Sequence, residues 1–121
     1  MIALAAIYAA ETAFAAPANT VGFYVLKRGD DGLTNQFTDA VIGALQESQR
    51  FSWSGAQSGT LQVSIDQLLP NRAGNDFPYS VQFSLDSNVL GVSVGTCSVI
   101  DLESCAQKVV KDADAVTLQM R

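Results

Sequence analysis

Tyr79-Ser80-Val81-Gln82-Phe83-Ser84-Leu85 alternates apolar and polar residues without a break, and a period of two belongs to a strand with one buried and one open face. The same pattern occurs upstream, where Leu61, Val63 and Ile65 alternate with Thr60, Gln62, Ser64 and Asp66. Between these two strands Pro70 to Pro78, with Asn71, Gly74 and Asn75, reads as a turn-rich excursion. Downstream, Asp86-Ser87-Asn88 supplies a tight turn and Val89 to Thr96 returns as a partner strand. Three consecutive strands of this kind predict an antiparallel meander whose polar face is open to solvent or to a partner.

Toward the N-terminus, Val21 to Lys27 crowds Val, Phe, Tyr, Val and Leu into one short run, the composition of a central strand buried on both faces. Arg28-Gly29-Asp30-Asp31-Gly32 is a connecting loop. Leu33, Phe37, Val41 and Leu45 then recur every four residues, with Ala40, Ile42 and Ala44 widening the stripe, which predicts a helix of about four turns. Either Asp31 or Thr34 caps its first turn. Gly43 weakens its middle by about 1 kcal/mol relative to alanine, and we expect it to mark close packing against the sheet. Phe51 to Gly59 is rich in Ser and Gly and reads as a short edge strand or a loop.

Toward the C-terminus, Asp101 and Glu103 place carboxylates where a helix start favours them. Ile100 and Cys105 have the spacing of a hydrophobic staple. Leu102, Cys105, Ala106, Val109, Ala113 and Val116 form an apolar stripe that excludes Lys108 and Lys111. Residues 115–120 continue this helix or form a short last strand. The fold class expected is α+β: a single domain with an antiparallel-rich sheet of four to five strands, two helices packed on one face, and the order β-α-β-β-β-α-(β).

The chain has 121 residues and is 48% hydrophobic, enough for one modest core and no second domain. Residues 1–15 resemble a signal segment: Ile2 to Ala10 is apolar but too short to span a bilayer, and Ala13-Phe14-Ala15 offers small residues for cleavage. A basic start is missing, because Ile2 follows Met1 directly, so the true start lies upstream or the chain is truncated. The single domain is then 16–121. Cys97 and Cys105 lie eight positions apart. That is neither a C-x-x-C redox spacing nor a zinc-ligand pattern, and in an exported protein it reads as a disulfide.

Several function classes drop out on composition. The net charge is −5 with only seven Lys and Arg, so the stripe of cations that nucleic-acid binding requires is absent. There is no histidine, which removes the usual general base at neutral pH and the commonest metal ligand. The acidic residues sit singly, where capping and solubility explain them, rather than as a glycosidase pair. Ser52-Trp53-Ser54-Gly55 lacks the strand-turn-helix context of a nucleophile elbow. Arg28-Gly29-Asp30 matches an adhesion tripeptide and reads as a turn; Asp30, Asp31 and Asp39 lack calcium-loop spacing. Trp53, Phe51 and Tyr79 form either an exposed aromatic patch used for binding or, as we expect, part of the buried core. We therefore assign no catalytic, cofactor or metal residue, and only Cys97 and Cys105 as a structural pair.

The apolar strand at 21–27, the helix Leu33-Thr34-Asn35-Gln36-Phe37-Thr38-Asp39-Ala40 and its exit Leu45-Gln46-Glu47-Ser48-Gln49-Arg50-Phe51 together resemble the opening unit of the N-terminal domain of periplasmic TolB and related bacterial envelope domains. The resemblance covers about residues 21–51 and carries no site residues across. It implies a non-catalytic assembly module of the cell envelope. The expectation is a non-enzymatic exported binding or accessory domain, periplasmic or secreted, without cofactors. Its partner would be another envelope or secreted protein, not nucleic acid. The alternative is a secreted inhibitor or immunity-type protein acting on a hydrolase through the Pro70 to Pro78 loop.

Overall fold

The structure, a computed structural model, describes residues 20–55, 59–69 and 75–118. The elements run β1 (Val21–Lys27), α1 (Gly32–Glu47), β2 (Phe51–Trp53), β3 (Leu61–Ile65), β4 (Asp76–Leu85), β5 (Asn88–Ser98) and α2 (Leu102–Val116). One five-stranded sheet has the spatial order β2-β1-β3-β4-β5. The α+β class, the two helices and the meander are as expected. The export segment expected at residues 1–15 lies outside the described residues.

The sheet is mixed. β1 pairs in parallel with both β2 and β3, while β3–β4 and β4–β5 are antiparallel. β1 lies inside the sheet, but the expected burial on both faces is corrected, since Leu26 is 46% exposed and Tyr24 only partly buried; α1 carries the chain back to the end of the sheet where β1 began, which makes β2 a parallel neighbour. Phe51 to Trp53 forms the edge strand that the Ser- and Gly-rich stretch allowed.

One face of the sheet carries Phe23, Leu61, Val63, Ile65, Phe77, Val81 and Phe83, all fully buried under the two helices, which also pack on each other. From α1 this core receives Phe37, Val41, Ala44 and Leu45, and from α2 Ala106, Val109, Val110 and Ala113. Phe37 meets Phe77 edge-on with ring centroids 5.8 Å apart and lies against Tyr79 at 5.3 Å.

Asp31 caps α1, accepting from the Thr34 amide at 3.1 Å and the Thr34 hydroxyl at 2.7 Å. Thr34, the other cap candidate, is buried and instead accepts from the Leu68 amide, tying the helix start to the segment after β3. α1 ends with Gln49 in a left-handed conformation, φ 63°, and the Ser48 hydroxyl donates to Leu45 O at 2.7 Å. The segment that carried the envelope-domain resemblance is thus the helix exit that delivers Phe51 into β2. Between β4 and β5 the turn residues Asp86 and Ser87 both have positive φ, 49° and 74°, the primed geometry that matches the twist of a two-residue hairpin.

Four local expectations are corrected, and one open alternative is resolved. β4 begins at Asp76, so the end of the Pro70 to Pro78 excursion is strand, and residues 70–74 lie outside the described residues. Pro78 fits in the strand because its ring nitrogen faces the side where β3 has already ended. Gly43 has open space around it, since an added Cβ would meet nothing within 4 Å. Asp101 makes no side-chain cap bond. Ile100 is 83% exposed and forms no staple, Val99 packing on the core in its place. As for residues 115–120, α2 runs on to Val116 and closes on Thr117, whose hydroxyl donates to Ala113 O at 2.8 Å; no strand follows among the described residues.

Candidate docking surface

Among the described residues, no element covers the face of the sheet away from the helices, although Ser64 and Ser84 on it are buried. Cross-strand rows on it read Tyr24–Gln62–Ser84–Val89 and Leu26–Ser64–Gln82–Val92, followed by Ser80–Val94 and Pro78–Thr96. Its centre is polar and organised: the Tyr24 hydroxyl donates to Gln62 Oε1 at 2.8 Å, and Gln62 Nε2 donates to Ser64 Oγ at 3.2 Å. Its flanks are apolar, with Leu26 46% exposed on β1, and Val92 and Val94 51% and 58% exposed on β5. The uniformly polar face expected from the alternation is therefore corrected at β5.

β5 is inverted relative to the other strands. Its helix-side residues are Gly91, Ser93, Gly95 and Cys97, and its larger residues point outward. The small residues let α2 and Tyr79 approach closely: a Cβ on Gly91 would lie 2.6 Å from Val116 Cγ1, and one on Gly95 would lie 2.8 Å from the Tyr79 hydroxyl. Leu90 is the extra residue of a bulge, since Phe83 pairs with Gly91 and Ser84 with Val89.

The backbone polarity of β5 follows from two bonds. Asp66 N donates to Ser80 O, so Ser80 directs its backbone groups toward β3, and Ser80–Val94 is a non-hydrogen-bonded pair. Val99 N donates to Asn75 O, which places the odd-numbered residues of β5 on the β4 ladder beyond the bulge. Val92, Val94 and Thr96 therefore turn both their side chains toward the open face and their N–H and C=O groups toward the free edge.

A polar latch guards this edge. Lys108 of α2 donates to Val94 O at 3.2 Å and to Asp112 Oδ2 at 3.0 Å, and the Ser93 hydroxyl donates to the same Asp112 oxygen at 2.6 Å. Partial burial pushes the Asp112 carboxyl up, but the bonds from Ser93 and Lys108 outweigh it and hold the group below its usual range. The bond to Asp112 holds Lys108 above its ordinary value. At the other helix, the hydroxyl and amide of Thr34 hold Asp31 low.

Cys97 and Cys105 are joined, Sγ–Sγ 2.13 Å and Cα–Cα 5.9 Å, tying the end of β5 to the first turn of α2. Phe51 and Tyr79 are buried as expected. Trp53 is 51% exposed at the β2 edge, its ring edge-on to Phe23 at 5.4 Å. Arg28 pairs with Asp66 and Lys27 with Asp30, so the tripeptide loop is held to its own surroundings. Asp31 is committed to its cap while Asp39 is exposed along α1, and among the described residues no three His, Cys, Asp or Glu side chains converge. No helix among them is long and apolar enough to cross a membrane. The feature that sequence reasoning missed is the outward valine row of β5; the Gly91, Ser93, Gly95 alternation was its signal.

A solved structure shares this fold. TolB from Acinetobacter baumannii superposes with a TM-score of 0.62 at 16% sequence identity, covering 84% of this chain and 29% of TolB. The chain thus spans less than a third of that protein. The likeness to TolB read at residues 21–51 holds in three dimensions and extends well beyond them. No protein-family model matches the chain, and no curated protein matches it in sequence.

Proposed function

We propose that the chain is a non-enzymatic, exported binding or accessory domain of the bacterial cell envelope that docks another envelope protein on its open sheet face. The observation that carries this reading is that face itself: the helices leave it uncovered, an ordered polar centre runs across it, and half-exposed Leu26 and Val92 flank the centre. Such a surface, apolar patches around oriented amides and hydroxyls, suits protein recognition. The carboxylates support the non-enzymatic side, because several are occupied structurally: Asp31 in a cap, Asp66 with Arg28, Asp112 with Lys108 and Ser93, and Asp114 with Arg50. The Cys97–Cys105 bridge supports an oxidising compartment, periplasmic or extracellular.

The test is capture from periplasmic extract with immobilised wild-type protein and with a Leu26→Lys, Gln82→Lys double variant. Envelope proteins retained by the wild type and lost by the variant are the expected result. Equal retention by both removes the open face from the proposal. Inhibition of a hydrolase in the extract supports the inhibitor reading instead, and a saturable turnover lost on changing one Asp or Glu overturns the non-enzymatic assignment.

A further inference from the structure

We infer that Lys108 keeps β5 from pairing with any further strand: its ammonium, steadied by Asp112, sits at the carbonyl of Val94 near the middle of the free edge and so holds the chain monomeric. This goes beyond the docking reading and does not depend on it, since Lys108 faces the edge of β5 rather than the polar centre of the face.

The edge needs such a guard. β5 is the longest strand, 11 residues, and lies at the border of the sheet. Asn88–Ser98 contains no proline and no charged residue, and its one bulge sits at the hairpin end, so the strand itself lacks the devices that usually block an edge. Val92 and Val94 are more than half exposed, and with Thr96 they turn N–H and C=O groups outward. The opposite border is protected by its brevity, because β2 has three residues. What β5 lacks, α2 supplies. Lys108 donates to Val94 O at 3.2 Å, so an incoming strand finds that acceptor taken and a positive charge facing its own N–H. Asp112 Oδ2 accepts from Lys108 at 3.0 Å and from Ser93 at 2.6 Å, which ties the guard to the strand it covers. Pairing across the half-exposed ammonium would strip its water without bringing it a new carboxylate. The net charge of −5 also opposes a second copy, but salt screens it beyond roughly 8 Å at physiological strength, whereas Lys108 acts in contact.

Sedimentation velocity and light scattering on the full chain with the bridge oxidised, at about 0.15 M salt and from about 10 µM to about 1 mM, compare four proteins. Wild type and Lys111→Ala should stay monomeric, Lys111 being an exposed lysine of the same helix. Lys108→Ala should self-associate, with an onset at least about tenfold lower in concentration, because a guard is lifted on each partner of a pair. The two alanine variants carry the same net charge, one unit more negative than wild type, so repulsion alone predicts no difference between them. Adding Val94→Lys to Lys108→Ala restores a charge at the edge and should return the monomer. That fourth protein also separates the guard from a folding defect, since association caused by lost stability would persist in it; circular dichroism melting midpoints are read alongside. A Lys108→Ala chain no more associated than wild type or Lys111→Ala, or association that Val94→Lys does not reverse, overturns the proposal while leaving capture by the open face to its own result.

Discussion

The half of the sheet under α1 and the half under α2 solve the same packing problem in opposite ways. Under α1, bulk fills the space: Phe23 and Phe51 on β1 and β2 share one core with Val41 and Leu45 of the helix, and Phe37 reaches Phe77 and Tyr79 of β4. Under α2, the helix comes close because β5 offers Gly91, Ser93, Gly95 and Cys97, and a disulfide and a Ser93–Asp112–Lys108 latch then hold the approach. Apolar volume removed from water stabilises the first half directly. The second has less volume to bury and relies on one covalent tie and local polar bonds.

The sharpest test of that contrast is Phe37→Ala. Phe37 is fully buried between Phe77 and Tyr79, and losing a phenylalanine from a filled core costs about 3–5 kcal/mol. Urea unfolding with an unchanged denaturant slope measures it. A loss below about 1 kcal/mol would mean that α1 is not held by bulk. Next comes the bridge. Replacing Cys97 and Cys105 with alanine opens a loop of sequence separation 8, worth about 2.5 kcal/mol in the loop-entropy account. Hydrogen exchange should quicken in β5 and α2 more than in β1 and α1. Uniform quickening would erase the distinction between the halves.

The two halves also differ in how much of them can be read from the chain. α1, β3 and β4 announce themselves because their largest residues face inward, so the hydrophobic period is the burial period, whereas the continuous apolar run of β1 hides that Tyr24 and Leu26 lie on the open face. In β5 the inward residues are smaller than the outward ones. Alternation identifies a strand there but assigns its faces the wrong way, and only the register with Phe77 to Phe83 corrects it. The parallel pairing of β1 was equally hidden, because hydrophobic period carries no strand direction. Ile100 and Asp101 had the right spacing for a staple and a cap, but a helix start tied by Cys105 to Cys97 is fixed by the bridge, and neither contact forms.

Two glycines give the comparison a matched pair. A Cβ on Gly95 would lie 2.8 Å from the Tyr79 hydroxyl oxygen and 3.0 Å and 3.1 Å from two atoms of its ring, a rigid obstacle, so Gly95→Ala costs roughly 1–3 kcal/mol. Gly43 on α1 has nothing within 4 Å and a helical backbone, so Gly43→Ala stabilises by about 0.4–1 kcal/mol. Thermal midpoints of the two variants should move in opposite directions. Movement in the same direction would contradict the close approach in β5.

The smallest expected effect is that of the latch, and its sign is fixed by the carboxyl. Asp112 is held below its usual range in the folded chain by Ser93 and Lys108, so its contribution is present above the unfolded carboxyl value, near pH 4, and fades as pH falls through the lower folded value. Asp112 and Lys108 are both partly solvent-exposed, which screens the interaction to roughly 0.5 kcal/mol. The stability difference between wild type and Asp112→Asn, followed by urea unfolding from pH 7 to pH 3, should therefore be small at neutral pH and shrink toward zero in acid. A difference that grew on acidification would mean that the bonds from Ser93 and Lys108 do not favour the charged carboxylate. The second half would then rest on the bridge and on close packing alone.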